Sequence, residues 1–64
     1  MTVKAKRTLE NVLGQILFAE GKEYRIADED TKRYYVLNEL NGETTIRKNA
    51  LLDNFVFVGK EDSE

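Results

Sequence analysis

Apolar and polar residues alternate along most of this chain, and the alternation stops at glycine, asparagine and short charged runs. Val3-Lys4-Ala5-Lys6 opens with apolar and basic residues in turn, the period-two signature of a half-buried strand with Lys4 and Lys6 on its solvent face. Lysines so placed keep an edge strand from pairing with other molecules, or form part of a basic patch with Arg7. From Thr8, a good N-cap, the period changes. Leu9, Val12, Leu13, Ile16 and Leu17 follow the spacing of one helical face, although Gly14 inside that pattern costs about 1 kcal/mol relative to alanine. The pattern predicts a short helical turn over 9–13 and an extended chain again over Gln15–Phe18. Its apolar stripe either closes the open end of a barrel or is offered to a partner.

Glu20-Gly21-Lys22 reads as a turn, and Glu23-Tyr24-Arg25-Ile26-Ala27 as a strand pointing Tyr24 and Ile26 at the core. Asp28-Glu29-Asp30-Thr31 is an acidic loop. It lacks the alternating ligands, central glycine and distal glutamate of a calcium loop, so a solvated turn is the simpler account. Next comes the strongest folding signal. A β-branched and aromatic run, Tyr34 to Leu37, leads into Asn41-Gly42, which accepts the positive φ angles of a hairpin turn, and Thr44 to Lys48 returns. The central strand is apolar on both parities, Tyr34 and Val36 on one side, Tyr35 and Leu37 on the other. Residues 49–54 predict one helical or 3₁₀ turn, Phe55 to Val58 the last strand, and Lys60 to Glu64 a charged, frayed tail. Short strands separated by short turns suggest a small closed or nearly closed antiparallel sheet, over a single domain at 1–59.

Composition narrows the job more than it names it. At 64 residues the chain buries only about 60% of its unfolded surface, which leaves little room for an enclosed pocket beside the core. Neither cysteine nor histidine occurs, which removes disulfide staples, Cys/His zinc sites and imidazole acid–base chemistry. Ser63 lies in the charged tail without a base, the acids fall mainly in turns, and the four glycines form no phosphate cradle. No enzyme, cofactor or metal site is expected. The longest apolar runs are four residues, against the roughly 20 needed to span a bilayer, and no signal-peptide core is visible, so a cytoplasmic location without membrane contact is expected. Ten basic against 12 acidic residues give a net charge of −2, which disfavours nucleic acid as a partner.

The order of these segments is similar to that of an SH3-like barrel. Glu20-Gly21-Lys22-Glu23-Tyr24-Arg25-Ile26, the acidic loop, Tyr34-Tyr35-Val36-Leu37, Asn41-Gly42-Glu43, Ile46, and Leu51-Leu52 before Phe55 match its strands, loops and final 3₁₀ turn. More narrowly, the chain resembles the short SH3-like proteins of phages and prophages of low-GC Gram-positive bacteria, with their Lys-rich first strand, Gly-Lys-x-Tyr segment and tyrosine-bearing central strand. The resemblance implies a mainly β, five-stranded antiparallel SH3-like barrel, with a short N-terminal helical turn and a 3₁₀ turn before the last strand. It does not extend to proline-rich peptide recognition, because the chain has no tryptophan and no proline.

What remains is a binding module. Interfaces favour tyrosine, phenylalanine and arginine, and Tyr24, Arg25, Arg33, Tyr34 and Tyr35 cluster in sequence around the central strand. Strand parity, taken with the resemblance, puts Tyr35 and Leu37 inward and Tyr34 and Val36 outward, although a one-residue slip would exchange the faces. The expected contact surface is therefore Tyr34 and Val36, rimmed by Arg33 and Glu39, with Tyr24 and Arg25 beside it; otherwise the 8–18 segment covers that row. The expected function is a non-enzymatic accessory factor or inhibitor, encoded by a phage or prophage, that binds a host protein. The alternative is a nucleic-acid-binding barrel, using Lys4, Lys6, Arg7, Lys32, Arg33, Arg47 and Lys48 on the backbone with Tyr34 stacking on a base. Self-association into a homodimer is the third reading.

Overall fold

A computed structural model describes residues 1–59, and the expected charged tail at 60–64 lies outside the described residues. The chain is mainly β. Its strands are β1 (Thr2–Ala5), β2 (Leu9–Glu10), β3 (Ile16–Phe18), β4 (Glu23–Glu29), β5 (Arg33–Leu37), β6 (Glu43–Arg47) and β7 (Phe55–Phe57), with one helical turn, α1 (Leu51–Asn54), before β7. Five strands form an antiparallel sheet in the order β6-β5-β4-β1-β7, and β2 and β3 form a separate hairpin. The five-stranded sheet curls into a half-barrel. The curl brings non-neighbouring strands together, so that the rings of Tyr34 on β5 and Phe57 on β7 meet edge to face, 6.0 Å between centroids.

The core lies on the concave face and draws on nearly every element. Val3 and Ala5 of β1, Phe18 of β3, Tyr24 and Ile26 of β4, Val36 of β5, Leu51 of α1 and Phe55 of β7 are all buried. The alternation read from 3–6 and 23–27 therefore holds. Phe18 joins the hairpin to the sheet: its ring meets Tyr24 at 4.8 Å and Phe55 at 5.0 Å, both near perpendicular, the favoured arrangement for aromatic quadrupoles. Leu9, Leu17, Tyr34 and Ile46 pack around this cluster.

Four expectations need correction. The helical turn over 9–13 does not form. Asn11 accepts hydrogen bonds from the N–H groups of Leu13 and Gln15 through its side-chain oxygen, and its backbone carbonyl accepts from Gly14. These bonds offer the backbone an alternative to a helix ladder, and Gly14 takes φ +80°, which an α-helix does not contain. The chain reverses there and is extended from Ile16, as expected of the 15–18 segment. Second, β1 is flanked by β4 and β7, so Lys4 guards no edge; the edge strands are β6 and β7.

Third, the turn before β7 is α-helical at its close rather than 3₁₀, with the Phe55 N–H donating to the Leu51 carbonyl. Fourth, the parity of the central strand is inverted. Ile26 of β4 stands opposite Val36, but Asp28 stands opposite Tyr35, so Ala27 is an extra residue in a bulge. Opposite residues share a face. Ile26 points inward, and Val36 therefore does too, with no exposed surface at all. Leu37 is the exposed one, at 39%.

Candidate functional site

The six residues expected to form one contact surface divide among four places. Val36 is in the core and cannot touch a partner. Tyr24 is buried, and its hydroxyl accepts from the Ala19 N–H at 2.7 Å while donating to Glu39 Oε2 at 2.6 Å. Glu39 also pairs with Lys22 Nζ at 2.8 Å. The Glu39 carboxyl is held below the usual carboxylate range, first by the Lys22 hydrogen bond and then by the Tyr24 hydroxyl. Burial, reinforced by the Glu39 bond, pushes the Tyr24 hydroxyl up. These groups tie β3, β4 and the β5–β6 turn together; their role is structural.

Tyr34 sits half-buried at the mouth of the concave face, edge to Phe57 and under Lys48 Nζ, which stands 5.0 Å from its ring centroid. It lies opposite Ile46, and the inner rows of β5 and β6 thus read Tyr34-Val36 and Ile46-Thr44. Arg25 and Arg33 alone of the six lie open on the convex face, at positions alternating with the buried ones.

That convex face is the surface the sequence reading missed. Arg33, Tyr35 and Leu37 line one side of it on β5, and Arg47, Thr45 and Glu43 stand directly opposite on β6. Tyr35 is half-buried, its hydroxyl donating to Asp30 Oδ2 at 2.8 Å. The same Asp30 accepts the backbone N–H groups of Lys32 and Arg33, and the Tyr35 bond and these two hold its carboxyl below the ordinary range. Asp30 thus fixes both the β4–β5 turn and the orientation of the Tyr35 ring. Sequence could not choose between the two tyrosines, because the register depends on the bulge at Ala27.

A second missed feature is the tip of the β2–β3 hairpin, where Val12 and Leu13 are almost fully exposed. Here a signal was present: asparagine at the first and glycine at the fourth position of Asn11-Val12-Leu13-Gly14 are the preferences of a type I turn.

The cations proposed for a nucleic-acid backbone also separate. Lys6 Nζ and Arg7 donate to the Leu52 and Asp53 carbonyls of α1, which anchors the first loop to the helical turn. Lys32, Arg33, Arg47 and Lys48, by contrast, come together with Thr31 and Asn49 around a shallow cleft of about 390 Å³ at the end of β5 and β6. Lys48 donates to Glu29 at 2.7 Å, and Arg33 lies 4.0 Å from Asp30. Among the described residues no helix is long and apolar enough to cross a membrane, and no group of three or more acids is placed to hold a metal ion. Comparison of the chain with family models, with characterised proteins and with solved structures returns no match.

Proposed function

We propose that this chain is a non-enzymatic, SH3-like β-barrel that binds a protein through the convex face of its central hairpin. Three features support the SH3-like reading: the strand order β6-β5-β4-β1-β7, the long excursion carrying a hairpin between β1 and β4, and a single helical turn between β6 and β7. The observation that carries the binding reading is the inverted parity of β5. It sets an arginine and a tyrosine, side chains enriched in interface cores, beside an exposed leucine in one row that the fold's own core does not use. Arg25 extends the same face on β4. A small module of this kind acts by occupying a surface, which suits an accessory factor or inhibitor acting on a host protein in the cytoplasm. The phage or prophage origin rests on the resemblance of the sequence alone.

The test is capture of partners from a Gram-positive lysate, with nuclease, by the wild type and by Leu37→Asp. A stoichiometric protein retained by the wild type and lost by Leu37→Asp, with the variant still folded by circular dichroism at the temperature of capture, is the expected outcome. Equal retention by both would refute the face. Light scattering on the free protein separates a host partner from a second copy of the chain.

A further inference from the structure

The four cations at the end of β5 and β6 break a local rule. Arg33 and Arg47 are the terminal pair of the β5–β6 ladder and stand directly opposite each other on the convex face, where like charges are destabilising. Lys32 and Lys48 flank them, joined by a hydrogen bond from the Lys48 N–H to the Lys32 carbonyl. In a chain of net charge −2 this concentration is not a consequence of composition. Carboxylates answer it only in part. Lys48 is engaged by Glu29, Arg33 has Asp30 at the outer limit of an ion pair, and neither Lys32 nor Arg47 forms an ion pair among the described residues. Asp28 lies opposite Tyr35 and does not line the cleft. Four cations against two carboxylates leave the site two charges positive. A departure from local consistency with no structural gain is the expected mark of a functional position.

We propose that this cleft binds a small phosphomonoester, its phosphoryl dianion held between the guanidinium groups of Arg33 and Arg47. Guanidinium forks match the geometry of phosphate oxygens and bind them bidentately. Lys32 supplies further charge, and Thr31 and Asn49, which also line the cleft, carry neutral donor groups. The volume of about 390 Å³ falls in the lower range of small-molecule sites, enough for a phosphate with a short organic group. A polyanion fits less well: Lys6 and Arg7 are spent on the carbonyls of α1, and Lys48 lies over the Tyr34 ring that would stack on a base.

The experiment follows backbone amide shifts of the whole protein by NMR during titration with glycerol phosphate, with glycerol and sodium chloride at matched ionic strength as controls. Saturable shifts confined to 30–33 and 47–49 with the phosphate alone are expected. Arg47→Glu should weaken binding by at least about tenfold. It should also keep or raise the thermal midpoint, because Arg33 then faces an opposite charge. Shifts equal to those of the salt control, or unchanged binding by Arg47→Glu, would overturn the proposal. So would far tighter, steeply salt-dependent binding of an oligothymidylate, which would make the site a nucleic-acid one. The titration needs no protein partner, so its outcome is independent of capture through Leu37.

Discussion

Replacing Val36 and Leu37 by alanine, one at a time, tests the feature on which the functional reading turns. The two residues are adjacent, of similar size and both apolar, yet Val36 has no exposed surface and Leu37 is 39% exposed. Val36→Ala removes two buried carbons, worth about 1.6 kcal/mol of transfer free energy, and the unfilled space raises the cost to roughly 2–3 kcal/mol. A chain of 64 residues is expected to have only about 3–10 kcal/mol in total, so from about a fifth to nearly all of the stability would go. At roughly 4–8 °C per kcal/mol for a domain of this size, the thermal midpoint should fall by about 10–20 °C. Leu37→Ala removes three carbons that are only partly covered, which costs about 1–1.5 kcal/mol and leaves no closed cavity, so its loss should be clearly the smaller. Urea denaturation followed by circular dichroism measures both. A larger loss for Leu37→Ala than for Val36→Ala would mean that the strand faces the other way, and the convex face proposed for binding would be the core.

Two further perturbations test the local structure. Glu39, its folded carboxyl held below the ordinary value by Lys22 and Tyr24, contributes stability that is present above its unfolded value and lost as the pH falls through the depressed one. Glu39→Gln should therefore flatten the acid limb of stability against pH; a slope equal to the wild type would show that the triad with Lys22 and Tyr24 does not persist in solution. Gly14→Ala should cost about 1 kcal/mol, all of it from the φ of +80°, since an added Cβ would meet no atom within 4 Å. A neutral result, read by urea denaturation, would mean the hairpin tip reverses by another turn.

How far sequence reached is decided by range. Where alternation was unambiguous, as in Val3-Lys4-Ala5 and Tyr24-Arg25-Ile26, both the strand and its inward face were legible. The central hairpin was legible from Asn41-Gly42, but its turn is wider than that dipeptide implies. Only Asn41 takes positive φ (64°), and the Asn38 side chain closes the loop by accepting the N–H groups of Leu40 and Gly42. The 8–18 segment was misread because its apolar spacing fitted a helix while its turn chemistry fitted a hairpin. Asn11 and Gly14 act over four residues and needed no cooperative nucleus, so the local turn prevailed. The parity of β5 was out of reach: it is fixed by pairing across the Ala27 bulge, a contact that leaves no mark in either strand alone.

The bulge thereby separates two tasks that the Tyr34-Tyr35 doublet leaves undecided. A chain this short can bury one face of its sheet and not the other. The inner row, Tyr34 and Val36, is committed to the core and its rim, and changes there are expected to register as stability. The outer row, Arg33, Tyr35 and Leu37, is only partly covered, and Asp30 anchors its first half through hydrogen bonds to the Arg33 N–H and the Tyr35 hydroxyl. Changes in this row should cost less stability than changes at Val36, and arginine opposite arginine at its end is a choice that stability alone would not favour. The proposed phosphate site would account for that choice, and the opposed effects expected of Arg47→Glu, on midpoint and on phosphate affinity, measure the two tasks separately.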